Sequence, residues 1–181
     1  MLRMNVEGVG FDHRKQTVVV LKDLENKKLL PIWIGPAEAR SIALFMEGAQ
    51  MPRPLSHDLM LFCVGAGGGQ VARVVINDLK DGTYYATIDI HTPNGLLHID
   101  ARPSDAIALA VRAQCPVFVD GAVLGELIDI APEGEEQSLN ARYESSFSGE
   151  NAPGETPTET AVPASSDEET RFRRLLGDLD L

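Results

Sequence analysis

Sulfur is scarce: the 181-residue chain holds two cysteines, Cys63 and Cys115, far apart and in no CxxC pair. That spacing excludes a zinc-ribbon or thioredoxin-type motif, and two lone cysteines among apolar neighbours are expected to be reduced and buried. Aromatic residues make up only 6% of the chain, so the core is expected to be aliphatic. No stretch approaches the roughly 20 apolar residues that a membrane-spanning helix needs. The opening MLRMNVEGVG has no basic region followed by an apolar run. No secretory leader is therefore expected, and the cytoplasm is the expected compartment. Common catalytic signatures are missing: there is no GxSxG, no HExxH and no cysteine–histidine nucleophile spacing. The GAGGG at 65–69 lacks the GK[ST] end of a phosphate loop and reads as a turn.

Basic charge is short as well, but unevenly so. The net charge is −11. Residues 1–125 hold 12 Lys and Arg against 13 Asp and Glu, whereas residues 126–181 hold 4 against 14. The acidity thus belongs to the tail, and the rest is near neutral. Bulk charge does not favour nucleic acid, and no basic stripe is visible, although a local patch is enough for binding.

What is present divides the chain into three parts. Residues 1–125 alternate short β-branched runs with turn signals and helical periods, as a compact α+β domain does. Strands are expected at 4–9, 17–24, 29–34, 70–77, 83–91, 96–101 and 115–119. Helices are expected at 37–47, 57–64 and 103–113. Pro36 and Pro103 stand where a helix tolerates proline, and Ser56 reads as the cap of the middle helix. Residues 126–170 are rich in Pro, Ser, Gly and Glu with few apolar positions, the composition of a disordered acidic linker. Residues 171–181 recover apolar spacing at Phe172, Leu175, Leu176 and Leu179. That segment is a short amphipathic helix candidate, either fraying alone or docking on the domain or a partner.

The two halves of the domain look alike. A shift of 67 positions lays residues 4–48 on 71–115 without a gap. Leu29, Leu30, Ile32, Pro36, Ala39 and Ala43 then meet Leu96, Leu97, Ile99, Pro103, Ala106 and Ala110. The expectation is two similar βββα units, an internal duplication, with mainly antiparallel sheet and helices packed on it.

Three polar clusters carry the chemistry: 35–39 (GPAEA), 52–58 (PRPLSHD) and 100–106 (DARPSDA). Each stands at a helix entrance, where free N–H groups and partial positive charge suit phosphate. Arg53 and Arg102 could hold phosphate oxygens with two N–H groups each. Glu38, Asp58, Asp100 and Asp105 are hard oxygen ligands for Mg²⁺ or Mn²⁺, which activates water and neutralises phosphodiester charge. An imidazole can take or give one proton, so His57 suits proton transfer. Each also has a plain structural reading. Glu38 and Asp105 complement helix dipoles, Ser56 and Asp58 cap a helix, His57 is a satisfied half-buried histidine, and Arg102 bridges to Asp100 or a carbonyl. Elsewhere, His91 and His98 are expected to face each other across a hairpin, and Trp33 is expected in the core or an interface. Asp78 and Asp81 are expected to serve the hairpin turn.

The stretches LPIWIGPAEARSIAL (30–44), PRPLSHDLM (52–60), VVINDLKDGTYYATI (74–88) and IDARPSDAIALAVRAQCPVFV (99–119) resemble the bifunctional nuclease family. The resemblance covers 1–125, and the final FRRLLGDL resembles a short segment that many members carry after a linker. It implies an α+β nuclease acting on both DNA and RNA with little sequence preference, and it implies self-association. The motif positions carried over are Glu38, Arg53, His57, Asp58, Asp100, Arg102 and Asp105. The expected roles are catalysis by His57, Asp58, Asp100 and Asp105, and substrate binding by Arg53 and Arg102. Glu38, Asp100 and Asp105 are the expected metal set for Mg²⁺ or Mn²⁺. The alternative is a non-catalytic module that binds nucleic acid or protein for regulation, or a small-molecule regulator with a pocket between the halves.

Overall fold

The computed structural model describes residues 1–130. The linker expected over 126–170 lies almost wholly outside these residues, and the segment at 171–181 lies entirely outside them. Three strands open the chain: β1 (Leu2–Phe11), β2 (Thr17–Asp23) and β3 (Lys28–Trp33). Two helices follow, α1 (Pro36–Met46) and α2 (Ser56–Ala66). Then come β4 (Gln70–Lys80), β5 (Thr83–Thr92), β6 (Gly95–Ala101), α3 (Pro103–Ala113), β7 (Val117–Val119) and a two-residue β8 (Ile128–Asp129). The class is α+β, as the sequence predicts.

One sheet of eight strands runs β6-β5-β4-β7-β1-β2-β3-β8. Every pairing is antiparallel except β4 with β7, where Val74, Val75 and Ile76 lie beside Val117, Phe118 and Val119. The order βββα occurs twice, as β1-β2-β3-α1 and β4-β5-β6-α3, and β7 stands between the halves. This repeated order matches the expected βββα units.

Strand chemistry explains the layering. In β5, Ala86, Ile88 and Ile90 join the core while Thr87, Asp89 and His91 take the other face, the two-residue period of a pleated strand. Val18, Val19, Val20 and Leu21 of β2 are all buried, so this central strand is covered on both sides, which a continuous apolar run permits. The β4–β5 turn is Asp81-Gly82, both at positive φ, as a tight hairpin requires. α3 is the central helix: Ala106, Ile107, Ala108, Leu109, Ala110 and Arg112 are all buried, with α1 and α2 against it. The alanines let the neighbouring helices approach closely.

Several local expectations are corrected. The cap residue of α2 is Leu55, not Ser56, because Asp58 reaches back and accepts the Leu55 N–H at 2.7 Å. Cys63 is exposed on the outer side of α2, since that helix packs through His57, Leu61 and Val64 instead. His91 does not face His98. Register places His91 opposite Leu96 and His98 opposite Asp89. Asp89, 3% exposed at its side chain, accepts from Arg73 Nε and pairs with His98 Nδ1, each at 2.6 Å. Trp33 donates from Nε1 to Asp12 at 2.9 Å.

Candidate active site

Helix packing gathers the chemistry. Gly35 ends β3's exit and caps α1, so Glu38 falls on the first turn with Ser41 one turn later. Arg102 caps α3 in the same way, with Asp105 on its first turn and Arg112 in its last. His57 and Asp58 open α2. Because α1 and α2 both lie against α3, these side chains meet.

Arg102 stands between two carboxylates. Its Nε donates to Asp105 Oδ2 at 2.7 Å, and its Nη2 lies 3.0 Å from Glu38 Oε1 and 3.2 Å from Asp105 Oδ1. The Arg102 side chain is 67% exposed, and its Nη1 has no partner among the described residues. Behind it, His57 is buried. Its Nε2 lies 3.2 Å from Asp105 Oδ1 and its Nδ1 3.0 Å from Ser41 Oγ. Deeper still, Arg112 is 2% exposed at its side chain. It donates to Asp58 Oδ1 at 2.6 Å, to the Ala108 carbonyl at 2.9 Å, and to Ser41 O and Oγ at 3.0 and 3.1 Å. The guanidinium also lies 5.1 Å from the Phe45 ring centroid. One charged and polar chain therefore runs from an exposed arginine to a buried one.

Burial alone would raise the Asp105 carboxyl pKa. Hydrogen bonds from Arg102 and His57 and their charges outweigh it, so the group lies below its ordinary value. Asp58 is lowered likewise: burial is outweighed by the hydrogen bonds from Arg112 and the Leu55 N–H and by nearby positive charge. Asp89 follows the same pattern, with Arg73 and His98 offsetting burial. Each folded value lies below the ordinary 3.8, so these groups contribute stability that is present above pH ~4 and lost as pH falls through the folded values. The melting temperature should fall steadily on acidification below pH ~5. Asp89→Asn should flatten that slope in thermal melts; an unchanged slope would remove Asp89 from the acid response.

The expected residues do not all join. Asp100 is opposite Thr87 on β6, while its neighbours Ile99 and Ala101 are opposite Ile88 and Ala86 of the core. Strand alternation therefore turns Asp100 to the face away from the core, and among the described residues no hydrogen bond or ion pair joins it to Arg102. Arg53 is exposed in the connection before α2, with no partner among the described residues. Asp58 faces Arg112 in the interior. His57 is in the cluster, but both ring nitrogens are engaged within it. Two members were missed. Ser41 carries no motif at all, whereas Arg112 left a signal: a lone cation on the apolar stripe of AIALAVRA.

Among the described residues, no three His, Cys, Asp or Glu side chains gather as a metal cage. Glu38 and Asp105, however, converge on one cationic group, and Mg²⁺ is commonly held by one or two carboxylates with water and phosphate completing its shell. The oxygen donors of that pair suit a hard divalent cation in chemistry, while the Arg102 guanidinium stands between them in this structure; Asp100 does not belong to the pair.

Gly35 makes the Glu38 position possible. A Cβ at residue 35 would collide with Glu38 Oε2. The backbone there, φ −67° and ψ 153°, suits any residue. In Gly35→Ala the fold should stand, with stability changed by less than about 1 kcal/mol, while the flexible carboxylate is pushed off Arg102. Catalytic output should fall; wild-type activity in a folded Gly35→Ala would mean the Glu38 position is unimportant.

An α+β domain with two helix N-termini converging on an arginine between carboxylates is the class that fold and site define. The bifunctional nuclease domain model matches residues 19–128, and the chain belongs to that family. It is also 40% identical over 143 residues to an uncharacterized protein found in two strains of Mycobacterium tuberculosis. The match covers 78% of this chain and 85% of the relative.

Proposed function

We propose that the chain is a metal-assisted nuclease that hydrolyses phosphodiester bonds in DNA and RNA with little sequence preference. The observation that carries this reading is the Glu38–Arg102–Asp105 group at the converging N-termini of α1 and α3, backed by His57. Arg102 Nη1 binds a phosphate oxygen, helped by the two helix dipoles. Glu38, Asp58 and Asp105 against Arg102 and Arg112 leave the cluster one negative charge in excess when His57 is neutral, which opposes an anionic substrate. Mg²⁺ or Mn²⁺ held by Glu38 and Asp105 would reverse that balance and supply Lewis acidity. Water adds across one P–O ester bond. Its oxygen joins phosphorus, Asp105 takes its proton while the hydrogen bond from His57 holds the carboxylate in place, and the leaving oxygen is protonated by solvent. Asp58 serves structure in this reading, and Asp100 and Arg53 lie outside the reacting group; Arg53 remains free to touch a long substrate.

The test uses labelled single- and double-stranded DNA and RNA with Mg²⁺, with Mn²⁺ and with chelator. Cleavage should require the cation and occur on all four substrates. No cleavage under any condition would turn the reading to a non-catalytic regulatory module. One observation favours that second reading: α2 shows Leu59, Met60 and Phe62 to solvent, and edge strand β6 shows Leu96, Leu97 and Ile99.

The same edge supports a second copy as partner. Antiparallel pairing of β6 with itself is self-complementary and would cover unpaired backbone groups. Light scattering should give a dimer or larger, reduced by Ile99→Lys; a monomeric wild type would end this part of the proposal.

A further inference from the structure

β1 has a free edge inside the sheet. Along one side it pairs with β2 from Met4 to Phe11. Along the other it pairs with β7 only at Leu2, Arg3 and Met4. β7 is three residues long, and its second side pairs with Val74, Val75 and Ile76 of β4. Past Met4, the line that β7 occupies between β1 and β4 holds no strand among the described residues. Residues 5–11 of β1 thus keep one row of backbone N–H and C=O groups without a strand partner. Neighbouring strands stand about 4.8 Å apart, so at the level of β7 that line is one strand wide, about 10 Å from β1 to β4.

A cleft of about 490 Å³ opens beside this edge. Its sides are Asn5 and Val6 of β1, Pro116 before β7, and Phe45, Met46 and Val111 in the last turns of α1 and α3. Phe45 and Met46 are 38% and 41% exposed. Arg3 is the one charged residue among those lining the cleft, and it has no ion partner among the described residues. Arg3 lies opposite Phe118, while Met4 lies opposite the core residue Val117, so strand alternation turns Arg3 to the face away from the core. Glu38 and Asp105 stand on the first turns of the same two helices. Each helix has 11 residues and is about 16 Å long, so the cleft is separate from the proposed catalytic group.

We propose that this cleft binds an extended segment of a partner protein, which adds as a strand along residues 5–11 of β1 and seats an apolar side chain against Phe45, Met46 and Val111. The free row of donors and acceptors repeats at the strand period, so it matches an extended backbone and no other. Such a strand turns successive side chains to opposite faces. An apolar side chain directed at the helices therefore leaves its neighbour on the face of Arg3. The charge there is positive and unpaired, so that neighbour is Asp or Glu. Proline is excluded wherever its amide would have to donate to β1. This inference does not rest on the nuclease reading.

The test begins with a phage-displayed random octapeptide library panned on the full chain. Enriched sequences should hold Leu, Ile or Met next to Asp or Glu, without proline in that pattern. The best sequence is then synthesised with a fluorescent label and titrated by anisotropy. Val111→Trp, which fills the cleft, should weaken binding by about 10-fold or more. Met46→Gln, at an exposed site, repeats that test if tryptophan disturbs the fold. Arg3→Glu should weaken binding by about 10-fold, and a peptide with Lys in place of its acid should recover the loss. Amide exchange reads the edge directly. In the free chain the amides of residues 5–11 that face away from β2 should exchange fast, and the peptide should protect them. No enrichment, binding indifferent to both cleft variants, or fully protected edge amides in the free chain overturns the proposal. Protection that rises with protein concentration would give the edge to a second copy, and displacement of the peptide by a single-stranded oligonucleotide would give it to nucleic acid; either result overturns the peptide reading. Cleavage enters none of these readouts, so their failure and that of the nuclease reading are distinct.

Discussion

Asp105→Ala is expected to reduce cleavage by about 100- to 1000-fold while leaving a folded protein. Asp105 is where the interactions of the proposed active site meet. It takes two hydrogen bonds from Arg102 and faces His57 Nε2. Its removal frees Arg102 to swing into solvent, leaves Glu38 as the one carboxylate of the proposed cation pair, and strips the imidazole of its outward partner. The structural cost is smaller. Arg102 is mostly exposed, so its ion pairs there are worth at most about 1 kcal/mol. The His57 Nε2–H is buried, and leaving it unpaired costs roughly 1–3 kcal/mol. Steady-state cleavage and thermal melts on the same preparation separate the two effects. A folded Asp105→Ala that cleaves within a few-fold of wild type would remove this cluster from the chemistry.

Asp58→Ala should be the most destabilising single change in the cluster, by about 3–5 kcal/mol in urea unfolding. The reason is asymmetry of burial. Arg112 is 2% exposed and Asp58 30%. Deleting the aspartate leaves a guanidinium in the interior without its anion, and also releases the Leu55 N–H at the start of α2. Deleting the arginine, as in Arg112→Met, leaves a carboxylate that water can still reach, and a methionine fills the same space. That variant should lose less stability, although the Ser41 and Ala108 carbonyls lose a donor. A typical domain has a net stability of about 5–15 kcal/mol, so the Asp58→Ala loss would be visible in every unfolding curve. Equal losses in the two variants, or a larger one in Arg112→Met, would contradict the clamp as described.

The motif positions could be read from residue type and from their place at helix entrances. Glu38 and Asp105 share an offset of 67 residues and both end on Arg102, the residue that corresponds to Gly35 in the other half. Sequence reasoning could place both acids on first helical turns, yet could not tell a dipole partner from a shared ligand, because that depends on how close the two helices come. Asp100 stands two residues before Arg102 in one dense run, but it lies opposite Thr87 on the face away from the core, whereas the helix that begins after Arg102 brings Asp105 back to the guanidinium. The histidine pair failed for a similar reason, since a one-residue change of register changes which side chains face each other.

The sequence by itself determined the α+β class, the aliphatic core, the proline-led helix starts and the Asp-Gly hairpin. All of these depend on local conformational preference and on apolar period, which neighbouring residues dictate. Tertiary structure alone decided that β7 enters between the halves in parallel, that Cys63 faces outward, and that Ser41 and Arg112 complete the cluster. Those outcomes depend on pairs of elements far apart in the chain. His57 meets Asp105 across 48 residues and Arg112 meets Ser41 across 71, and no pattern within one helix specifies its partner on another.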